Sequence, residues 1–452
     1  MGRVVDFLQE TSLHGCKYIS DTTRSLARRI IWALFFTAAS ASCIFYCVEL
    51  GLRLLEFNVQ TIFRLEHKDS LAFPTIVICN PCPINVTRNN DTETLFQSGI
   101  LWSSNKWNIL RENSSRSFTI EDINKIKDEK KIDMQASILQ ARWDEKYLNI
   151  SESFKPFDLL DKSCVWFNGK DYQSKYGAFI GENSGYDAGL EVIANVHQNL
   201  CSSGFVLEAG LEIYIQPVED DIPSLSPAAI VAPGTATNIG LSKSTMKFLE
   251  YPYKVIGDRY CTSVANYSKS NCNEGCISKK LRERCPCLPT LFEGETDFGE
   301  FENCTTDNVM AGVDCYSNYY PLLKSQADKG DICDCPDTCA VSSYSIDLSF
   351  GYFPTTSVSQ RLVDIGYIPD VQYARDNLLK FRINFKTLVE EIIEYVPEYS
   401  AETMIGTIGG HLGLFVGASI LTIFEIVELF VLLVGTRVFK LFNRPSNISK
   451  LS

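Results

Sequence analysis

Residues 406–434 read GTIGGHLGLFVGASILTIFEIVELFVLLV. A buried core helix is the ordinary reading of such a run. Its length fits a bilayer span better, because about 20 apolar residues in a helix cross the hydrocarbon core. Arg437 and Lys440 then supply a basic stop. A plain anchor would be Leu-rich throughout. This segment instead carries Gly406, Gly409, Gly410, Gly413 and Gly417, followed by Ala418 and Ser419. Gly409, Gly413 and Gly417 are spaced four apart, and small residues on one face let helix backbones approach closely in lipid. Helix pairing alone would account for that spacing, but Glu425 and Glu428 shift the reading. They lie three apart inside the apolar run, on one helical face. A carboxylate in hydrocarbon is costly and normally faces a water-filled cavity, and rings of Asp/Glu favour cations in pores. If the span stopped near Phe424 the glutamates would simply be wet, yet the apolar run resumes at Leu429–Val434. A single helix encloses no pore, so several copies around an axis are expected.

A second apolar stretch lies near the other end. Ile30–Val48 reads IIWALFFTAASASCIFYCV, 19 residues without a charge, preceded by Arg24, Arg28 and Arg29. A secretory signal peptide also begins basic and then apolar, but its apolar part is shorter, about 7–15 residues, and ends at a small-residue cleavage site. No such site follows here, so a retained helix is expected. Outside the two spans, residues 1–29 and 436–452 hold nine Lys/Arg against three Asp/Glu. The remainder holds 33 bases and 52 acids. Basic flanks stay cytoplasmic. Both termini are therefore expected inside and the long middle outside.

The 452 residues allow two or three domains at roughly 150 each, and 45% hydrophobic residues is too few for a polytopic bundle. The net charge of −13 argues against a general nucleic-acid binder. No low-complexity tract or internal repeat is present. Of the 17 Cys, 14 lie between the spans, leaving Cys16, Cys43 and Cys47. That is an even number in oxidising space. Six glycosylation sequons fall there too, at Asn85, Asn90, Asn113, Asn149, Asn266 and Asn303; Asn447 lies on the inner side and should stay bare. Ten Cys cluster between Cys261 and Cys339 with no His among them, which favours disulfides over zinc. Their pairing is open from sequence. Pro74–Cys79, Ala209–Ile215 and Asn377–Phe385 read as strands. Thr119–Asp128 and Lys130–Ala141 read as polar helices. Glu219, Asp220 and Asp221 form a Pro-flanked acidic loop, in the first instance a solvated turn.

These residues resemble the degenerin/epithelial sodium channel family, which includes acid-sensing and peptide-gated channels. His14-Gly15, in TSLHGCKYI, is similar to its cytoplasmic His-Gly gating motif, and Trp32-Ala33-Leu34 to the opening of its first helix. Phe73-Pro74 with Val77-Ile78-Cys79-Asn80 resembles its FPAVTICN strand, and Val231–Thr235 its VAPG motif. Gly409-Gly410-x-Leu412–Ser419 is close to its GGQMGLFIGAS. The resemblance implies an α+β membrane protein. Two transmembrane helices flank a large disulfide-rich ectodomain with a β-sheet palm, β-ball, knuckle, helical finger and thumb, assembled as a homotrimer or heterotrimer. The implied division is 1–29 cytoplasmic, 30–55 first transmembrane helix, 56–400 ectodomain, 401–435 second helix and pore, and 436–452 cytoplasmic. Within the ectodomain, about 90–165 would be a reduced finger and 257–345 the thumb. The thumb would carry Cys261–Cys339, Cys272–Cys335, Cys276–Cys333, Cys285–Cys315 and Cys287–Cys304. Cys79, Cys82, Cys164 and Cys201 could pair in three ways.

The resemblance further implies an amiloride-sensitive pore in the plasma membrane. Gly417, Ala418 and Ser419 would form its selectivity region, with Glu425 and Glu428 below. Thr403 would stand at the outer mouth, where bulk props the gate open. Phe57 and Tyr253 would couple the thumb to the membrane. Glu219 and Asp220 would belong to a ligand- or proton-sensing loop. The chain departs from the pattern at His411, usually Gln, and at Thr407, often Asp. The family's G-x-C-Y-T-F-N segment is not recognisable, although Tyr176–Phe179 stands near it.

Other readings fit less well. A non-conducting surface receptor has no use for Gly417–Ser419 and two intramembrane glutamates. An ATP-gated trimer would need Lys/Arg clusters for phosphate. An ectoenzyme would need a catalytic set such as G-x-S-x-G or H-E-x-x-H, and none is present. No metal or cofactor is expected beyond permeant Na+. Expected partners are lipid, related subunits, amiloride and an extracellular ligand. The Tyr373–Lys380 run leans towards invertebrate, peptide-gated members. A neuropeptide or other small ligand therefore ranks first, protons second, and constitutive or mechanical opening third.

Overall fold

The structure, a computed structural model, describes residues 7, 9, 11–82, 132–159, 162–200, 208–218, 220, 227–255, 257–265, 267–285, 287 and 309–442. The chain divides into two compact units, Met1–Gln60 with Val396–Ser452, and Thr61–Tyr395.

In the first unit, α1 (Leu26–Leu55) runs 30 residues without a break, about 45 Å at 1.5 Å per residue. Leu34, Phe35, Ile44 and Phe45 are exposed on its outside. A helix apolar on its outer face needs a non-aqueous surround. Among the described residues, α1 is the one unbroken helix long and apolar enough to cross a membrane.

The second unit is built on two sheets. Its strands are β1 (Val59–His67), β2 (Thr75–Asn80), β3 (Ile138–Trp143), β4 (Lys146–Tyr147), β5 (Phe154–Leu159), β6 (Lys162–Phe167) and β7 (Leu190–Asn195). They continue as β8 (Leu211–Gln216), β9 (Ala229–Val231), β10 (Thr235–Lys247), β11 (Ala340–Tyr352) and β12 (Leu378–Pro397). The larger sheet has the order β11-β10-β12-β7-β3-β4, with β1 also on β12; the smaller has the order β9-β8-β2-β6-β5. One face of each sheet enters a common core, with Leu190, Val192, Phe381 and Ile383 meeting Ile76, Ile78, Val165 and Ile213. Strand β2 is buried at every position, as expected of a strand covered on both faces. Its other face packs Val77 and Cys79 against Cys164 and Tyr214. Cys79 stands directly across from Cys164 in the ladder and is disulfide-bonded to it.

The stretch around 130–141 corrects the expectation of one polar helix. Among its described residues only Met134–Ser137 is helical, capped by Asp133; Ile138–Trp143 is a strand paired to β7. Ile138 and Ala141 are buried in the core while Gln140 and Arg142 are not, so sheet pairing overrides the local helical spacing. Thr119–Asp128 lies outside the described residues. Of the interval 90–165, residues 132–159 and 162–165 include strands of both sheets.

Between β10 and β11 stand α2 (Lys269–Arg284) and α3 (Val309–Lys329). They pack through Ile277, Leu281, Tyr316, Leu323 and Ala327. Disulfides Cys261–Cys339, Cys272–Cys335, Cys276–Cys333 and Cys285–Cys315 pin this hairpin to its flanks. Cys82 and Cys287 are also disulfide-bonded; Cys201 and Cys304 lie outside the described residues.

The chain returns to the first unit as α4 (Ala401–His411), a π-turn (Leu412–Val416) and α5 (Ile420–Phe442). The two halves of this apolar segment are bent by 75° across the break after Val416.

Candidate functional site

The break at Gly417–Ser419 is built by the sequence around it. Gly417 takes φ +70°, a left-handed conformation that L side chains seldom adopt. Its N–H donates to the Gly413 carbonyl and that of Ala418 to the Leu412 carbonyl, both at 3.1 Å. Helix α5 restarts when the Thr422 hydroxyl accepts from the Ser419 N–H at 3.0 Å. Three residues are thus left non-helical between two half-helices. Irregular backbone at membrane depth is tolerated where it is covered by protein or lines a water-filled cavity. The C-terminal carbonyl end of α4 points its negative dipole end at this break, which favours a cation there.

The N-terminal segment closes on the same break. The His14 N–H donates to the Val416 carbonyl at 3.0 Å. A Cβ placed on Gly417 would overlap the His14 imidazole. Gly15, at φ +92°, turns the chain against Trp32 and Phe36 of α1. Two residues before His14, Ser12 pairs with Thr422 hydroxyl to hydroxyl at 2.6 Å. One Glu425 oxygen accepts from the Thr11 hydroxyl at 2.8 Å, the Ser12 N–H at 3.1 Å and the Ser12 hydroxyl at 3.4 Å. Glu425 therefore serves as an anchor for residues 11–12, while Glu428 is exposed. The short helix Cys16–Ser20 is held by stacking of Tyr18 on Trp32, with ring centroids 4.5 Å apart, and by Arg29 Nε donating to the Ile19 carbonyl at 2.9 Å. Tyr46 of α1 stacks on His411 and Phe415, at 5.4 and 5.6 Å. At the start of α4, Ser400 caps the helix by accepting from the Thr403 N–H at 3.1 Å, and the two hydroxyls lie 2.9 Å apart.

The sequence reading brought His14, Gly15 and Gly417–Ser419 forward but not their partners Thr11, Ser12, Thr422 and Tyr46. Thr422 carries a faint signal, a hydroxyl in an apolar run, and is almost fully buried. Thr11 and Ser12 carry none.

The model of the amiloride-sensitive sodium channel family matches residues 7–429. The chain belongs to that family. Acid-sensing ion channel 1B of Danio rerio is 24% identical over 443 residues, covering 93% of this chain and 75% of that protein. Acid-sensing ion channel 1 of Gallus gallus is 25% identical over 462 residues, covering 93% and 82%. The bile acid-sensitive ion channel of Homo sapiens is 24% identical over 462 residues, covering 94% and 84%.

In this sodium channel family member the remaining candidate residues are spread over both units. Phe57 ends α1 with φ +51° and is exposed. Tyr253 is half-buried in the other unit, its N–H donating to the Glu250 carbonyl at 3.1 Å. Glu219 lies outside the described residues. The Asp220 carboxylate accepts from the Ser268 hydroxyl at 2.6 Å, and Ser268 itself caps α2. Asn149 is exposed; Asn85, Asn90, Asn113, Asn266 and Asn303 lie outside the described residues.

Among the described residues of the Thr61–Tyr395 unit, the buried carboxylates Glu191, Glu274 and Glu390 are paired, as is the half-buried Glu212. Glu274 meets Lys324 at 2.8 Å and the Tyr320 hydroxyl at 3.2 Å. Glu212 meets Lys162 at 2.7 Å and the Tyr214 hydroxyl at 2.6 Å. Burial, and then the neighbouring Glu212, pushes the Tyr214 phenol up to about 12. Glu390 takes the Thr245 hydroxyl at 2.7 Å and Lys243 at 2.9 Å. Burial opposes its ionisation, but these two partners outweigh burial and hold it below the usual range. Glu191 behaves alike: burial is outweighed by Lys380 and Arg382. Lys68 lowers Glu66, and Lys254 lowers Asp258.

Proposed function

We propose that the chain is one subunit of a trimeric, sodium-selective channel of the plasma membrane, with both termini cytoplasmic and the Thr61–Tyr395 unit outside. Gly417, Ala418 and Ser419 form its constriction. An extracellular peptide or other small ligand opens it, and amiloride blocks it. The observation that carries this reading is the helix break at Gly417–Ser419, buttressed by His14 and anchored through Glu425. A membrane anchor needs neither a break nor a buttress. The basic ends and acidic middle support the orientation.

Ligand ranks ahead of proton because the Tyr373–Lys380 run leans towards peptide-gated members of the family, and the displaced carboxylates of the Thr61–Tyr395 unit are consistent with that order. Among the described residues of that unit, each carboxylate with a displaced ionisation is displaced downward. A lowered folded pKa supplies stability above the ordinary carboxylate value, and that stability is lost as pH falls through the folded value. The loss therefore begins below about pH 4.5. Steps from about pH 7.5 to about pH 5 leave these groups ionised.

The test is voltage-clamp recording from cells expressing the chain alone. Bath acidification, a panel of amidated neuropeptides and a bile acid are applied in turn, with and without amiloride. A ligand-evoked, amiloride-blocked current with little response to pH 5 is the expected result. A proton-evoked current half-activated above about pH 5 would reverse the ranking. Thr403→Phe is expected to give standing current, which separates an untested ligand from a chain that does not conduct.

A further inference from the structure

We propose that Asn149 carries an N-linked glycan whose first N-acetylglucosamine packs against the Tyr147 ring. The inference rests on the reading that the Thr61–Tyr395 unit faces outside. The stretch is Tyr147-Leu148-Asn149-Ile150-Ser151, and Asn149 is the one sequon asparagine among the described residues. A sequon alone only names an acceptor. The local fold decides whether it is reachable and whether the sugar finds a surface to rest on.

Strands β3 and β4 form a two-residue hairpin. Trp143 pairs with Lys146 and Arg142 with Tyr147. The turn residues Asp144 and Glu145 take φ +44° and +69°, the left-handed pair that a tight hairpin favours. The Leu148 N–H donates to the Ala141 carbonyl at 3.0 Å, which carries the ladder one residue further. Leu148 packs on the core that includes Ala141. Strand alternation then sends Tyr147 and Asn149 together to the outer face, with their attachment points about 6.5 Å apart.

Both side chains are available there. The Tyr147 ring is 71% exposed. Arg142, paired with Glu191 at 3.3 Å, stands over the ring at 5.7 Å from its centroid and holds it in place. Asn149 occupies the N-cap of the short helix Ile150–Ser153, where an Asn side chain usually accepts a backbone N–H. Here it makes no capping hydrogen bond. The Asn149 carbonyl does that work instead, accepting from the N–H groups of Glu152 and Ser153 at 3.2 and 2.9 Å. The backbone is pinned while the amide points free, and the Ser151 side of the sequon is exposed as well.

The donor is a polyprenyl-diphosphate-linked oligosaccharide. Asn149 Nδ2 attacks its anomeric carbon. The N–C bond forms, the C–O bond to the diphosphate breaks, the diphosphate leaves with the bonding pair, and Nδ2 gives up one proton. Nothing is oxidised or reduced. The C–H face of the attached sugar then covers the Tyr147 ring, whose electron-rich face attracts it.

The full chain expressed in cultured cells tests this. Enzymatic glycan release in 18O-water converts an occupied Asn to labelled Asp, and peptide mapping reads the site. Label at Asn149, lost in Ser151→Ala, is the expected result. Tyr147→Ala should lower the apparent unfolding midpoint of the purified glycosylated channel by about 1–3 °C. It should change nothing in an Asn149→Gln background, and Tyr147→Phe should match wild type in both. Ser151→Ala supplies the bare background if Asn149→Gln does not fold. Other sequons labelled with Asn149 bare would overturn the glycan assignment alone. All sequons bare would overturn it together with the orientation of the unit. An equal loss from Tyr147→Ala in both backgrounds would overturn the contact between ring and sugar.

Discussion

Gly417→Ala is expected to cut the current at least a hundredfold at equal surface expression. Two independent costs act at this residue. The first is backbone: φ +70° is a left-handed conformation, which costs an L residue roughly 1–2 kcal/mol. The second is steric, because the new methyl group would overlap the His14 ring. His14 has little freedom to retreat. Its N–H is tied to Val416, and Thr11 and Ser12 before it are tied to Glu425 and Thr422. The substitution must therefore unwind the turn or expel the N-terminal segment, and either breaks the constriction. Adding His14→Ala removes the overlap but leaves the backbone cost, so recovery should be partial. Whole-cell current normalised to surface biotinylation measures both variants. A Gly417→Ala channel that conducts like wild type would remove the proposed buttress.

Glu191→Leu is expected to destabilise the ectodomain unit by about 3–5 kcal/mol, the cost of leaving a buried charge without its partner. Three cations, Arg142, Lys380 and Arg382, lose their shared carboxylate at once. Replacing buried charges together by apolar groups is far less costly than removing one. Glu191→Leu with Arg382→Met should therefore recover part of the loss. The apparent unfolding midpoint of the purified protein, with the fraction reaching the cell surface, reads the effect. A single variant as stable as wild type would mean that the row of charges does not hold the three strands.

Some of this architecture is legible in the sequence because single residues force it. The glycines of 406–417 and the following Ala-Ser mark a helix that does not run straight. The buried run Thr75–Asn80 marks a strand covered on both sides. Residues 130–141 were not legible: their polar spacing suits a helix, and only pairing with Leu190–Asn195 makes Ile138–Trp143 a strand. The docking of Thr11 and Ser12 on Glu425 joins residues more than 400 positions apart, and no local pattern encodes it. The thumb pairings came from family resemblance, since ten cysteines at close spacing admit many connectivities. The charged row across Arg142, Glu191 and Arg382 became visible only once the strand register was known.

The central claim is that cations pass through the Gly417–Ser419 constriction and are selected there. The most direct measurement is the bi-ionic reversal potential, with external sodium replaced by potassium, for the wild-type chain and for Ser419→Cys. A reversal potential that shifts strongly negative in potassium for wild type, and clearly less for Ser419→Cys, is the predicted result. The same shift in both channels would place selectivity elsewhere and contradict the assignment.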